Sequence, residues 1–250
     1  MATWKDGSDR RHLEGRKWAL WALEQWEPFP TLGQRPLVLT GPMVWSQAEH
    51  RTGMAKLAYL NRDWELPSSV PDAVLHLARA SGGRTRPRSG EYEPLQIKRG
   101  TLDQASFETD RGPQVLPAWR LESDQALGPM WVLDPEIAST VWATPEPTPT
   151  PPTVPRPTQR LNYATPVRGD EASLAVFFTG GHPAWVNYPS ADIFESDHAV
   201  VILPRAHDTG PPGFRALLGV QRELVAKLAR PLGRRVLANP DATAVGVLMT

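Results

Sequence analysis

Residues 177–204 read FFTGGHPAWVNYPSADIFESDHAVVILP, and the folding of this stretch decides the architecture of the C-terminal third. The apolar runs at its ends, SLAVFFTGG (173–181) and DHAVVILP (197–204), have the length and the β-branched and aromatic content of strands. Between them Gly180, Gly181, His182 and Pro183 read as a turn, and Trp185 and Tyr188 as caps on a core. The span also holds the densest group of potential ligands in the chain: His182, Asp192, Glu195, Asp197 and His198. A hard cation needs several oxygens converging on one point, and zinc needs three or four donors. If 192–203 is one strand, Asp192 and His198 face one side while Glu195 and Asp197 face the other, which keeps them from one ion. The segment is therefore read as structural, with no metal site and no catalytic residue. His182, Trp185, Tyr188, Asp192, Glu195, Asp197 and His198 are the candidates for an aromatic-lined binding surface.

Downstream, RRVLANPDATAVGVL (234–248) reads as a closing hairpin around Asn239, Pro240 and Asp241. The intervening FRALLGVQRELVAKLARPLG (214–233) is ambiguous. Phe214, Leu217, Leu218, Gln221, Leu224, Val225 and Leu228 fit helical spacing, yet the segment is short enough to be a loop followed by a strand.

Upstream, TPEPTPTPPTVPRPTQ (144–159) carries seven prolines. Proline fixes φ and lacks an N–H, so the stretch is excluded from helix and sheet interiors. It is expected to be an extended inter-domain spacer, reaching up to ~50 Å at ~3.1 Å per residue. The alternative is a ligand for a domain that reads polyproline helices. The chain thus divides into residues 1–143, a linker at 144–160 and residues 161–250.

The first part opens with a helix over 10–27 holding Trp18, Trp21 and Trp26. With Leu13, Leu20 and Leu23 its apolar residues spread around most of the circumference, so it needs cover on several sides. Its own N-terminal domain is the expected cover; a protein partner is the alternative. A short strand in PLVLTGPMVW follows, then helices MAKLAYLNR and VPDAVLHLARA, the second with Ser69 as cap and Pro71 at its opening. His76 lacks a spaced partner and reads as a packed or surface residue. Arg84, Arg86 and Arg88 lie in a Gly- and Pro-rich loop that is solvated or, as the alternative, clasps an anion. PLQIKR, QASFET, VLPAWRLE and PMWVLD then read as an antiparallel meander. Trp119 and Leu121 point to one side of the third strand, Arg120 and Glu122 to the other. The fold class is α+β: a helix-plus-meander N-terminal domain and a smaller β-rich C-terminal domain.

Composition removes several functions. Formal net charge is zero, and residues 161–250 hold eight Lys or Arg against eight Asp or Glu, leaving no basic field for nucleic acid. The chain has no Cys, so disulfides, thiolate nucleophiles and zinc–cysteine sites are out. No stretch reaches the ~20 apolar residues of a membrane helix. Leu13–Trp26 is too short and too interrupted by Glu24 for a secretion signal, so the chain as written reads as cytoplasmic, or extracytoplasmic if a leader was removed. Phosphate-cradling loops, dinucleotide fingerprints, nucleophile elbows and zincin His pairs are absent, and no cofactor is expected.

Gly180-Gly181, the run Glu195-Ser196-Asp197 with Ala199 and Val200, and Arg230, Pro231, Leu232, Gly233, Arg235 and Val236 together form a pattern. It resembles a widespread group of actinobacterial proteins to which no activity is attached, many of them lipoproteins or membrane-anchored. MAKLAYLNRDWELPSSVPDAVLHLAR and FETDRGPQVLPAWRL are similar to the N-terminal half of that group. The resemblance implies a β-rich C-terminal module and makes 220–229 a strand, which is the reading adopted. It implies no catalytic residues. This chain departs from the group in lacking a signal or anchor and the Cys pairs that some members carry. The expectation is a non-enzymatic binding or interaction protein, associated with the cell envelope. The rival is a cytoplasmic enzyme with a site between the two domains.

Overall fold

A computed structural model describes residues 5–46, 49–81, 93–142, 150–157, 159–210 and 219–248. The loop with Arg84, Arg86 and Arg88, the first half of the proline stretch and residues 211–218 lie outside the described residues.

The elements run α1 (Lys5–Trp26), β1 (Val44–Ser46), α2 (Gly53–Asn61), β2 (Trp64–Glu65), α3 (Asp72–Ala80), β3 (Leu95–Gln96) and β4 (Arg99–Thr109). Then come β5 (Gly112–Glu122), β6 (Met130–Leu133), α4 (Pro135–Ala138), β7 (Leu161–Val167), β8 (Asp170–Gly180) and β9 (Val186–Glu195). The last are β10 (Ala199–Asp208), β11 (Val220–Lys227), β12 (Val236–Ala238) and β13 (Gly246–Val247). The protein is α+β, its strand pairs mostly antiparallel. It forms two compact units: Met1–Thr40 with Thr109–Gly112 and Trp142–Thr250, and Gly41–Glu108 with Pro113–Val141. The chain crosses from the second unit back into the first between Val141 and Trp142, just before the proline stretch, and the first unit joins α1 to the C-terminal strands.

The reason lies in β10. Its first six residues, Ala199–Pro204, are buried, so both faces of the strand need cover. Val200 and Ile202 face a core shared with Leu174, Val176 and Phe178 of β8, Leu161 and Ala164 of β7 and Leu237 of β12. Ala199, Val201 and Leu203 alternate to the opposite face and meet Trp18, Trp21 and Trp26 of α1. Two sheets, ordered β12-β10-β9 and β11-β8-β7-β13, thus pack face to face, with α1 on the outer side of the first. Trp18, Ala19, Trp21, Ala22 and Trp26 are buried along one stripe, whereas Leu13 and Leu20 are 58% and 44% exposed. Among its described side chains the helix is covered along this stripe, not on several sides as expected, and its tryptophans pack within its own unit.

The described half of the proline stretch is docked, not free. Trp18 Nε1 donates to the carbonyls of Val154 and Pro155, each at 3.1 Å, and the Arg156 guanidinium lies 5.2 Å from the Trp18 ring centroid. Val154 packs against the α1 core, and Arg156 and Arg160 both reach Asp241. The expected closing hairpin also differs. β12 pairs in parallel with β10 and β13 in parallel with β7, while the turn at Asn239–Pro240–Asp241 is closed by a short antiparallel contact: the Ala238↔Ala244 bridge, with Asn239 N–H donating to the Thr243 carbonyl and Val245 N–H to that of Leu237, both at 2.8 Å. Asn239 organises the turn: its amide nitrogen donates to the Leu161 carbonyl, and its Oδ1 accepts the Leu161 N–H at 2.8 Å. The segment 220–227 is a strand, β11, antiparallel to β8 from Val220↔Gly180 to Lys227↔Ser173.

In the other unit the sheet order β1-β6-β5-β4 carries the meander, with α2 and α3 against one face. Leu121 is buried there, while Arg120 pairs with Glu122 at 3.0 Å on the opposite side. Ser69 does not cap α3. Pro71 occupies the N-cap position without a side-chain bond, leaving Asp72 in the first turn to favour the helix start. α2 ends at Arg62, whose φ of 56° lets its N–H reach the carbonyls of Ala58 and Tyr59. Its guanidinium then stacks over Tyr59 (4.6 Å) and Trp64 (5.4 Å). His76 is exposed.

Candidate functional site

The seven sequence candidates do not form one site. β9 covers ten residues, and at ~3.3 Å per residue it separates its two ends by ~30 Å. His182, Trp185 and Tyr188 sit at its start, Asp192 along its length, and Glu195, Asp197 and His198 at its end.

At the start, Tyr188 is a core residue, edge-to-face with Phe178 at 4.9 Å, and its hydroxyl accepts the Gly181 N–H at 3.0 Å. The His182 carbonyl accepts the N–H groups of Trp185 (2.9 Å) and Val186 (3.0 Å), which makes the expected turn. Gly180 is glycine because of crowding. A Cβ there would stand 2.8 Å from the Tyr188 hydroxyl and 2.9 Å from Arg222 Cγ. Gly180→Ala is therefore expected to destabilise the protein by ~1–3 kcal/mol in urea unfolding. Gly53→Ala, where nothing lies within 4 Å, serves as the control and should be neutral or mildly stabilising. Equal behaviour of the two variants would refute the crowding argument.

Asp192 is held on both oxygens. His12 Nδ1 lies 2.6 Å from Oδ2, and Arg205 Nε donates to Oδ1 at 2.6 Å. That hydrogen bond to Asp192 raises the Arg205 pKa above its ordinary value, against the smaller opposing effect of burial.

At the far end β9 does not continue into β10. The chain reverses at 196–198, where Ser196 Oγ accepts the N–H groups of His198 (3.2 Å) and Ala199 (3.0 Å). The expectation of one strand over 192–203 fails here, and the reversal brings Glu195, Asp197 and His198 to one end of the sheet. They line an open hollow of about 730 Å³ with Glu27, Arg230 and Arg235. Each of the three already has an internal partner. Glu195 Oε2 meets Arg235 Nη1 at 2.5 Å, and its Oε1 accepts the Ala229 N–H at 2.7 Å. Asp197 pairs with Arg230, both largely exposed, so that pair contributes at most ~1 kcal/mol. His198 Nδ1 is 2.5 Å from the Phe29 carbonyl. A carbonyl only accepts, so Nδ1 carries the proton.

Arg235 is 4% exposed and is the organiser of the segment 228–235. Besides Glu195 it donates to the carbonyls of Arg230 (2.8 Å), Pro231 (3.0 Å) and Leu232 (3.3 Å). Leu232 is buried and Gly233 has a φ of +55°, which closes the loop. Glu195, Ser196 and Asp197 thus meet Arg230 and Arg235 in space and build a turn and a loop, whereas Gly180 and Gly181 lie at the other end of β9.

A second group was not legible in the sequence. Asp110, 1% exposed, is held by Arg35 through both guanidinium amines. Arg111 Nη2 donates to the carbonyls of Gly233 (2.7 Å) and Arg235 (2.8 Å), and Arg35 Nε to that of Arg234 (2.9 Å). Burial lowers the Arg111 pKa, with Asp110 opposing and Arg35 adding to the fall. The sequence DRGP at 110–113 signalled only a turn; nothing in it points to residues over a hundred positions away.

Among the described residues no group of three or more His, Asp or Glu side chains is placed to hold a metal ion. No described helix is long and apolar enough to cross a membrane. Comparisons with protein-family models, curated proteins and solved structures found no match.

Proposed function

We propose that this protein is a non-catalytic binding or interaction protein associated with the cell envelope. One observation carries the reading. The carboxylates and the histidine at the end of β9 are tied to Arg235, Arg230 and the Phe29 carbonyl, as Asp192 is to His12 and Arg205. Each carboxylate is thereby matched by a cation and the histidine is fixed to a backbone carbonyl, so these contacts fasten the ends of the sheet to neighbouring segments. The envelope association is supported by the resemblance to actinobacterial proteins that carry leaders or anchors. Native mass spectrometry of protein purified from its own host tests the reading. The expected species are the chain alone, copies of it, or the chain with other polypeptides. A discrete small-molecule adduct retained at stoichiometric level would overturn it in favour of an enzyme or carrier.

A further inference from the structure

Arg62, at the end of α2, is 9% exposed and lacks a counterion: among the described residues no Asp or Glu pairs with its guanidinium. Nη1 donates to the Tyr59 carbonyl at 2.8 Å, while Nε is buried without a partner. Arginine stays charged in proteins, and a buried charge is costly unless it is paired. Stacking on Tyr59 and Trp64 covers the faces of the guanidinium and offsets part of that cost, but it leaves the rim of the plane unused. The unused donors are the Nε and Nη2 N–H groups, the edge that takes a carboxylate in two parallel hydrogen bonds. Two more buried polar atoms of the same cluster have no partner, Trp64 Nε1 and His50 Nε2. The Trp64 ring lies 5.9 Å from that of Tyr59 and 19° from parallel to it, and the His50 ring is 4.7 Å from Tyr59 on its own account. Orphaned buried groups are rare in folded proteins, so three in one cluster call for a cause. A buried water could bond the N–H groups, yet it would leave the charge uncompensated.

We propose that Arg62, Trp64 and His50 form a site for the carboxylate of a separate molecule. The Arg62 edge is the fork that holds it, and the Trp64 indole is the neighbouring N–H donor. Burial, and then the charge of Lys56, lower the His50 pKa, so that ring is uncharged at neutral pH. Arg62 is therefore the one buried cation of the cluster, since Lys56 is exposed. A carboxylate matches that single charge. A phosphate brings up to two negative charges at neutral pH and would leave one in excess. The rings of Tyr59, Trp64 and His50 supply the apolar walls that small-ligand sites usually have. A small organic acid and the C-terminus of a polypeptide present the same group. The inference goes beyond the proposed function and does not rest on it, since an interaction protein and an enzyme can each carry such a site.

The experiment follows the indole N–H resonance of Trp64, assigned through Trp64→Phe, in the isotope-labelled full chain. Sodium acetate is titrated at constant ionic strength made up with sodium chloride, which removes general screening effects. The expected result is a saturable shift with half-saturation at roughly 1–30 mM, in keeping with so small a ligand. Sodium phosphate should bind more weakly. Arg62→Met should abolish the saturable shift. Arg62→Lys keeps the charge but not the forked edge, and should weaken acetate binding at least about tenfold. The other indole resonances check that each variant is folded, and Arg62→Lys carries the test if Arg62→Met is not. N-acetylglycine, which carries the carboxylate of a polypeptide end, separates the two sources. Tighter binding than acetate assigns the site to a polypeptide terminus; equal or weaker binding assigns it to a small acid. A wild type with no saturable acetate shift overturns the inference. So does an unchanged shift in either Arg62 variant, or phosphate binding more tightly than acetate.

Discussion

Removal of residues 1–30 is expected to give a chain that aggregates instead of a folded monomer. Trp18, Trp21 and Trp26 are 5%, 7% and 0% exposed, packed on Ala199, Val201 and Leu203 of β10 and on Val236 and Ala238 of β12. Tryptophans bury ~150–250 Å² each, so at ~25 cal/mol per Å² three of them correspond to roughly 15 kcal/mol of gross burial, an upper bound. That matches the whole net stability of a typical domain, ~5–15 kcal/mol. The deletion would also leave one face of β10 and β12 as an open apolar patch of the kind that drives association. Soluble yield and light scattering read the result. A well-folded, monomeric 31–250 chain would show that α1 is dispensable to the core. The point variants grade the same contact. Trp26→Ala should cost ~3–5 kcal/mol. Trp26→Phe keeps most of the ring but removes the Nε1 bond to the Ala242 carbonyl (3.0 Å), and should cost ~1–3 kcal/mol.

The sequence carried the strands well and their partners poorly. β8 and β10 were legible because continuous Val, Ile and Phe runs bounded by Gly, His-Pro and Pro leave few alternatives. β5 was legible from the alternation of Trp119 and Leu121 with Arg120 and Glu122. β11 was not legible from spacing. Leu224, Val225 and Leu228 fit a helix, yet in the fold Leu224 is half-buried, Val225 faces solvent and Leu228 lies beyond the strand end. What spacing cannot show is which element covers a face. β10 announces that it needs two covers, but nothing local names α1 as one of them, or Val154 and Pro155 as acceptors for Trp18. The candidate site was mixed in the same way. Its acidic residues were correctly singled out as a dense group, while their partners Arg235, Arg205 and His12 lie up to 180 positions away.

The largest single-residue effect outside α1 is expected at Arg235. Arg235→Ala removes the partner of Glu195, whose side chain is only 19% exposed, and frees three loop carbonyls at once. Breaking a buried ion pair from one side costs about 3–5 kcal/mol, because the remaining charge is left without compensation. Arg235→Lys tests the geometry instead of the charge. One ammonium cannot reach Glu195 and the carbonyls of Arg230, Pro231 and Leu232 together, so at least one charged hydrogen bond is lost, about 1.5–3 kcal/mol. The double variant Glu195→Leu with Arg235→Met should recover most of the stability, since well-packed apolar replacements of a buried pair are often neutral. Urea midpoints of the wild type, Glu195→Leu, Arg235→Met and the double variant close the double-mutant cycle and isolate the pair. Hydrogen exchange at the Ala229 N–H, which Glu195 Oε1 accepts, gives a local readout and should accelerate in Arg235→Ala. A loss below ~1 kcal/mol in Arg235→Ala is the size of an exposed pair. It would mean that Arg111 and Arg35, which hold the Gly233, Arg234 and Arg235 carbonyls from the other side, suffice to keep the loop closed. The resemblance motif would then owe its form to something other than this clasp.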